Sequence, residues 1–373
     1  MLKIQEFIHA NANWQELLSA APYNLKISED NGFYLFKYNQ ITSDFNQEIC
    51  REARGLILDS QNNFKVVRMA FSKFFNFGEK YAASINWDKA AATEKIDGSL
   101  MSVWFARGEW HLSTNGTIDA FKAPLAGESP YQTFGQLFES VLPLCVFKGN
   151  RWENLCFTFE LVSPFNRIVI EYPETEVYLL SVRRMDTLEE EKEFGALRRI
   201  AASVGAKRPK VYQLTKQKDY EELVASMDDS HEGIVVCDDK FNRIKIKTLH
   251  YFELHRMAHN GNVPLETIVD LVRTNETEEF LAYFSQYRYA VEEIQKRVDA
   301  VYRAVKQVVS DVANWEKENL MTDYRARRKE FALWVREQTY PSMLYFKAYQ
   351  EEDIVEYVKQ MPNAAFIRTF NIN

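Results

Sequence analysis

The chain is poor in everything that would mark it as fibrous, disulfide-stapled or membrane-spanning. Its four cysteines (Cys50, Cys145, Cys156, Cys237) are scattered with no paired short spacing. That pattern argues against a disulfide framework and a Cys-type zinc site, and for free thiols in a reducing compartment. Thirteen glycines and ten prolines in 373 residues exclude collagen-like and low-complexity designs. No apolar run approaches the roughly 20 residues that cross a bilayer. The opening Met1-Leu-Lys-Ile-Gln-Glu-Phe-Ile-His lacks the apolar core and small-residue cleavage site of a secretory signal. The expectation is a soluble, cytoplasmic protein that meets no membrane. Positive charge is not in excess either: the formal charge is −7, so any polyanion site must be a local concentration of Lys and Arg.

What is present is ordinary globular material, 46% hydrophobic and 27% charged, in a length that suits two domains. Up to about residue 250, short alternating runs punctuated by turns predict strands. Leu25–Tyr38 folds back at Asp30-Asn31-Gly32, 56–68 at Ser60–Asn63, and 101–112 at Ala106–Glu109. Cys156–Val162, Val177–Val182 and 233–247 add more strands, and helical periodicity appears near 7–18, 132–142, 188–204 and 218–227. From Leu254 onward turns nearly vanish, and helices are expected over 279–306, 324–336 and 353–360. The fold class expected is therefore α+β, with mostly antiparallel sheets and flanking helices over residues 1–250. A small all-α C-terminal domain follows over 251–373.

The sharpest local feature is Thr93-Glu94-Lys95-Ile96-Asp97-Gly98-Ser99, a turn between two strands. Phe157-Thr158-Phe159-Glu160 places a carboxylate in an apolar strand, where it needs a cationic partner. Glu232 opens the β run Gly233-Ile234-Val235-Val236. In Arg243-Ile244-Lys245-Ile246-Lys247, strand alternation sends Lys245 and Lys247 to one face and the isoleucines to the other. Two ammoniums on one face repel each other unless an anion sits between them, and phosphate suits. Arg54-Gly55 and Lys73-Phe74-Phe75-Asn76 lie upstream. This inventory can handle a nucleoside triphosphate without a P-loop, and no Gly-x-x-x-x-Gly-Lys-Ser/Thr occurs.

The order Lys-x-Asp-Gly, Phe-x-Phe-Glu, Glu-Gly-x-Val-Val, Lys-x-Lys resembles that of the covalent nucleotidyltransferases, the polynucleotide ligases and mRNA capping enzymes. Arg51-Glu-Ala-Arg54-Gly, Lys73-Phe-Phe-Asn76, Ser163-Pro-Phe-Asn-Arg-Ile-Val169 and Lys245-Ile-Lys247 look like the RNA ligase 1 family of T-even-type bacteriophages. The resemblance runs from about residue 34 to 251, and with it comes the expectation of a nucleotidyltransferase (adenylation) fold. It implies that Lys95 attacks the α-phosphate of ATP to form lysyl-AMP, and that Arg54 and Lys73 hold the triphosphate. Tyr38 and Phe75 match aromatics of the nucleotide pocket, Gly98 belongs to its motif, and Lys245 and Lys247 neutralise the α-phosphate. Glu160 and Glu232 match carboxylates that contact ribose or organise Mg²⁺ through water. Asp97 completes the lysine motif, and Tyr251 falls where the family keeps an aromatic. One departure is Asn115, in Leu112-Ser-Thr-Asn115-Gly116, where the type member carries a lysine.

A free lysine, with a pKa near 10.4, is a poor nucleophile at neutral pH. Neighbouring cations such as Lys245, Lys247 or Mg²⁺ would disfavour its charged form. The family reading is an ATP- and Mg²⁺-dependent, monomeric enzyme joining 5′-phosphate to 3′-hydroxyl ends of single-stranded RNA or a cleaved tRNA. The alternatives are a capping guanylyltransferase, a DNA ligase, or a catalytically silent RNA-binding protein. Two basic stretches, 198–218 and 325–329, are candidate RNA contacts. His255 and His259 have helical spacing for a metal without an evident third ligand, and the acidic group Glu276, Glu278 and Glu279 reads as a helix start.

Overall fold

A computed structural model describes every residue except 41, 126–128, 150–151, 229, 249–262, 275–276, 278–279, 282–286, 320–323 and 373. Tyr251, His255, His259, Glu276, Glu278 and Glu279 therefore lie outside the described residues. The chain divides into two compact units, Met1–His255 and Arg256–Asn373.

The first unit is built on three sheets. Strands β1 (Lys26–Asp30), β2 (Phe33–Lys37), β3 (Arg54–Asp59) and β4 (Lys65–Arg68) form an antiparallel meander. Its turns carry residues with positive φ at Asn31, Gly32 and Asn63, the conformation that turn residues such as Asn and Gly tolerate best. Helices α1 (Lys3–Ala10) and α2 (Trp14–Ser19) bury Ile4, Ile8, Trp14 and Leu18 in the same core as the meander.

The second sheet runs β10 (Glu176–Arg184), β9 (Leu155–Val162), β7 (Ser99–Ala106), β8 (Glu109–Thr114), all antiparallel. The third runs β11 (Val211–Tyr212), β6 (Ala91–Glu94), β12 (Gly233–Cys237), β13 (Arg243–Lys247), β5 (Phe75–Asn76), with only the β13–β5 pair parallel. Ile244 and Ile246 are buried at 1% and 2% exposure beneath the third sheet, so the alternation in β13 holds. The lysine motif bridges β6 of the third sheet and β7 of the second.

One helix is shorter than its periodicity predicts. The segment over 188–204 becomes helical only from Phe194 to Val204. Residue Glu190 instead bridges Arg183 in strand fashion, because its carboxylate is drawn inward by two guanidiniums.

In the second unit every regular element among the described residues is a helix. The longest helix, Arg288–Glu318, buries Val291, Ile294, Val298, Val301, Val305, Val308, Val312 and Trp315, the three- and four-residue spacing of a core-facing stripe. This valine pattern carries the helix past the end expected at residue 306. Helices Leu265–Thr274, Tyr324–Val335, Ser342–Tyr349, Ile354–Gln360 and Asn363–Phe370 share its separate core. Among the described residues no helix is long and apolar enough to cross a membrane.

Candidate active site

Lys95 follows the last residue of β6 and faces β12. Its backbone N–H donates to the Gly233 carbonyl at 2.9 Å, and the ladder pairs Glu94 with Ile234. That register puts the Lys95 side chain beside Glu232, and the two form an ion pair. The Glu232 side chain is 3% exposed and that of Lys95 22%, so the amine faces a cavity rather than open solvent. The direct partner of the Lys95 amine is thus a carboxylate, and Lys245 lines the same cavity.

Two glycines let this happen. A Cβ on Gly98 would lie 2.4 Å from the Leu161 carbonyl oxygen, and one on Gly233 would lie 2.1 Å from that of Ile246. Both are below any real contact, so only hydrogen fits where the lysine turn crosses β9 and where β12 starts against β13. Asp97, 5% exposed, does not reach into the cavity. Its Oδ2 accepts the backbone N–H groups of Val169 and Ile170, each at 2.8 Å. The Asp97 N–H donates to the Tyr172 hydroxyl at 3.2 Å, and Asn166 Nδ2 donates to Ser99 Oγ at 2.9 Å. The Ser-Pro-Phe-Asn-Arg-Ile-Val segment is thus pinned behind the lysine turn.

Lys95 opens into a cavity of about 670 Å³, large enough for a nucleotide. Arg54, Gly98, Asn115, Glu160 and Lys245 line it with Lys95. Arg54 stacks over Phe74 at 4.9 Å and Phe71 at 5.9 Å. Glu160 comes from β9, opposite Leu100. Burial pushes its carboxyl up to about 8; Lys95 pulls against this, while the neighbouring charge of Glu232 adds to it.

Lys247 is buried at 6% exposure opposite Gly233 and does not line the cavity. Lys73, Tyr38 and Phe75 gather one step away. The Lys73 ammonium sits 5.0 Å from the Tyr38 ring, 5.4 Å from Phe45 and 5.3 Å from Phe75, and donates to Gln40 Oε1 at 3.3 Å. Lys73 and these three rings form an aromatic-caged cation adjoining the cavity, with Tyr38, Phe45 and Phe75 packed into the first core.

No group of three or more metal-ligating side chains occurs among the described residues. Glu160 and Glu232 nonetheless suit a hard cation. Burial raises the Glu160 carboxyl to about 8, and a cation can take the place of the proton this favours. Magnesium characteristically takes one or two carboxylates and fills its remaining positions with water and phosphate oxygens.

Several residues of the cavity escape a sequence reading. Glu190 accepts from Arg183 and from both Nη atoms of Arg243, and from Ser181 Oγ at 2.9 Å. Burial alone would raise its pKa, but the Arg243 and Arg183 charges outweigh this and hold the carboxyl below its usual range. Strand alternation places Arg243 on the face of Lys245, which was the available signal; Glu190 offered none. Of the basic stretch 198–218, Lys207 is paired with Glu176, Lys218 with Glu222, and Arg208 lines the cavity.

The antiparallel sheets, with a lysine–glutamate pair inside a nucleotide-sized cavity, fit the nucleotidyltransferase resemblance. A family model described as RNA ligase matches residues 52–253, and the chain belongs to that RNA ligase family. It is 26% identical to an RNA ligase of Rhodothermus phage RM378, over 75% of this chain and 79% of that one. It is 29% identical to an inferred bifunctional polynucleotide kinase/RNA ligase of Autographa californica nuclear polyhedrosis virus, over 78% of this chain. The match spans only 43% of that viral relative's length. Among solved structures, an archaeal ATP-dependent RNA ligase superposes with a TM-score of 0.50 at 13% identity, covering 96% of this chain and 99% of that one. This supports the fold.

Proposed function

We propose that the chain is an ATP-dependent RNA ligase joining 5′-phosphate to 3′-hydroxyl ends, acting on single-stranded RNA or a cleaved tRNA. The observation that carries the reading is the Lys95–Glu232 pair set in a cavity walled by Arg54, Glu160 and Lys245. In the first step the Lys95 amine bonds to the α-phosphorus of ATP, and the bond to pyrophosphate breaks. Arg54, with Lys73 beyond it, takes the charge of the leaving pyrophosphate, and Lys245, backed by the buried Lys247, that of the α-phosphate. Lys95 must lose its proton, and Glu232 is the carboxylate already placed to receive it. Glu160 and Glu232 would hold Mg²⁺ through water, and the ion would supply positive charge against the phosphate oxygens. An RNA 5′-phosphate then displaces the lysine from AMP, and a 3′-hydroxyl displaces AMP in turn. Residues 1–250 act as the adenylyltransferase domain and 251–373 as a helical accessory domain, in a monomer working in the cytoplasm.

Incubation with α-³²P-ATP should label the protein, and Lys95→Ala should abolish the label. A labelled Lys95→Ala protein would refute the nucleophile. Adding a 5′-phosphorylated RNA oligomer should give circles. Labelling by GTP instead would indicate a capping enzyme, and sealing of nicked duplex DNA a DNA ligase.

A further inference from the structure

Arg68, at the end of β4, is fully buried at 0% exposure. Burial lowers its pKa to about 10, with the neighbouring charge of Arg54 adding to the effect; the guanidinium still carries its charge at neutral pH. Its Nε donates to Ser102 Oγ at 3.0 Å, and its Nη1 to the carbonyls of Gly55 and Arg54. These oxygens solvate the charge without neutralising it. Three buried polar atoms in this corner have no hydrogen-bond partner: Arg68 Nη2, Arg54 Nη1 and Asn115 Oδ1.

The same unit holds a second pair of neighbouring arginines, Arg183 and Arg243, and there Glu190 bridges both. Between Arg54 and Arg68 no carboxylate lies within ion-pair distance among the described residues. Burying like charges together is costly unless an anion joins them. One pair has an internal anion. The other adjoins the cavity through Arg54 and Asn115, both of which line it.

We propose that Arg68 is a positioning residue for phosphate binding, whose buried, uncompensated guanidinium backs Arg54 and completes the positive wall of the Lys95 cavity. The proposal rests on the ATP reading of that site. The anion that balances the Arg54–Arg68 pair is the polyphosphate of the bound nucleotide.

Two replacements separate charge from geometry. Arg68→Lys keeps the charge and loses the fork; Arg68→Gln keeps donors and loses the charge. In the labelling reaction, Arg68→Gln should raise the KM for ATP by about tenfold, with the rate at saturating ATP within about threefold of native. Arg68→Lys should stay within about threefold on both measures. A glutamine as good as the arginine, or a lysine no better than the glutamine, overturns the proposal. If neither variant folds, Asn115→Asp decides. A near-isosteric carboxylate beside an uncompensated guanidinium should raise the Tm of the ATP-free protein by about 2–4 °C, and an unchanged or lower Tm overturns the proposal. If the native chain takes no label from ATP, the nucleotide reading itself falls. The Arg68→Gln comparison is then made by calorimetry with inorganic tripolyphosphate, where equal binding to native and variant overturns the role of Arg68.

Discussion

Lys95 and Glu232 meet across neighbouring strands as an ion pair whose carboxylate is almost wholly shielded from solvent. Glu232→Gln keeps the shape and removes the base. A positioned general base contributes about 10²–10⁴-fold in rate, so lysyl-AMP formation should fall by that amount, while melting shows a folded protein. A rate within about threefold of native would remove Glu232 from the chemistry.

Glu160 sets a pH dependence. Its carboxyl is raised to about 8 in the folded protein, against roughly 4.3 in an unfolded chain. Between those values the folded state binds the extra proton. The stability this group contributes is thus full below the unfolded pKa and lost as pH rises through about 8. Glu160→Gln, which cannot ionise, should therefore melt higher than the native protein at about pH 9, with the gap narrowing as pH falls and closing only near the unfolded value of about 4.3. In the native protein the apparent affinity for Mg²⁺, read from the labelling rate, should rise with pH up to about 8 and flatten above it, since the cation must displace a proton.

Asp97 works by holding backbone. Asp97→Ala leaves the N–H groups of Val169 and Ile170 without their acceptor, at about 1–3 kcal/mol for the buried Ile170 donor and less for the half-buried Val169. The variant should lose several degrees in Tm, and hydrogen exchange should quicken at residues 169 and 170. Unchanged protection at both amides would contradict the clamp.

Phe331 is fully buried in the helical unit, stacked on Tyr349 at 4.2 Å and edge-on to Trp315 at 4.9 Å. Phe331→Ala should destabilise that unit by about 3–5 kcal/mol. All the proposed adenylylation residues that the structure describes lie in the other unit. Labelling by ATP should therefore survive while RNA joining falls; equal loss of both would tie the two units into one cooperative structure.

Which side chains gather around Lys95 was largely legible from short motifs and from the family resemblance they carry. Lys95, Glu160, Glu232 and Lys245 each sit in a short motif whose alternation or turn fixes where the side chain points, and Ile244 and Ile246 are buried as period two requires. Pairings between distant stretches were not legible. Nothing near residue 190 announces that its carboxylate serves Arg183 and Arg243, so a helical period was read through a segment that long-range ion pairs hold extended. Arg68 was likewise hidden, since in sequence it is only the polar end of an apolar strand. The position of Lys73 among the rings of Tyr38, Phe45 and Phe75 depends on three separate elements meeting.

The Arg183–Glu190–Arg243 network has a mechanical consequence. Arg183 belongs to β10 of the second sheet and Arg243 to β13 of the third, and one shielded carboxylate fastens both. The two walls of the cleft are riveted together at that point and cannot gape there without stranding an ion in an apolar interior. High salt, which loosens exposed ion pairs, should leave this fastening intact.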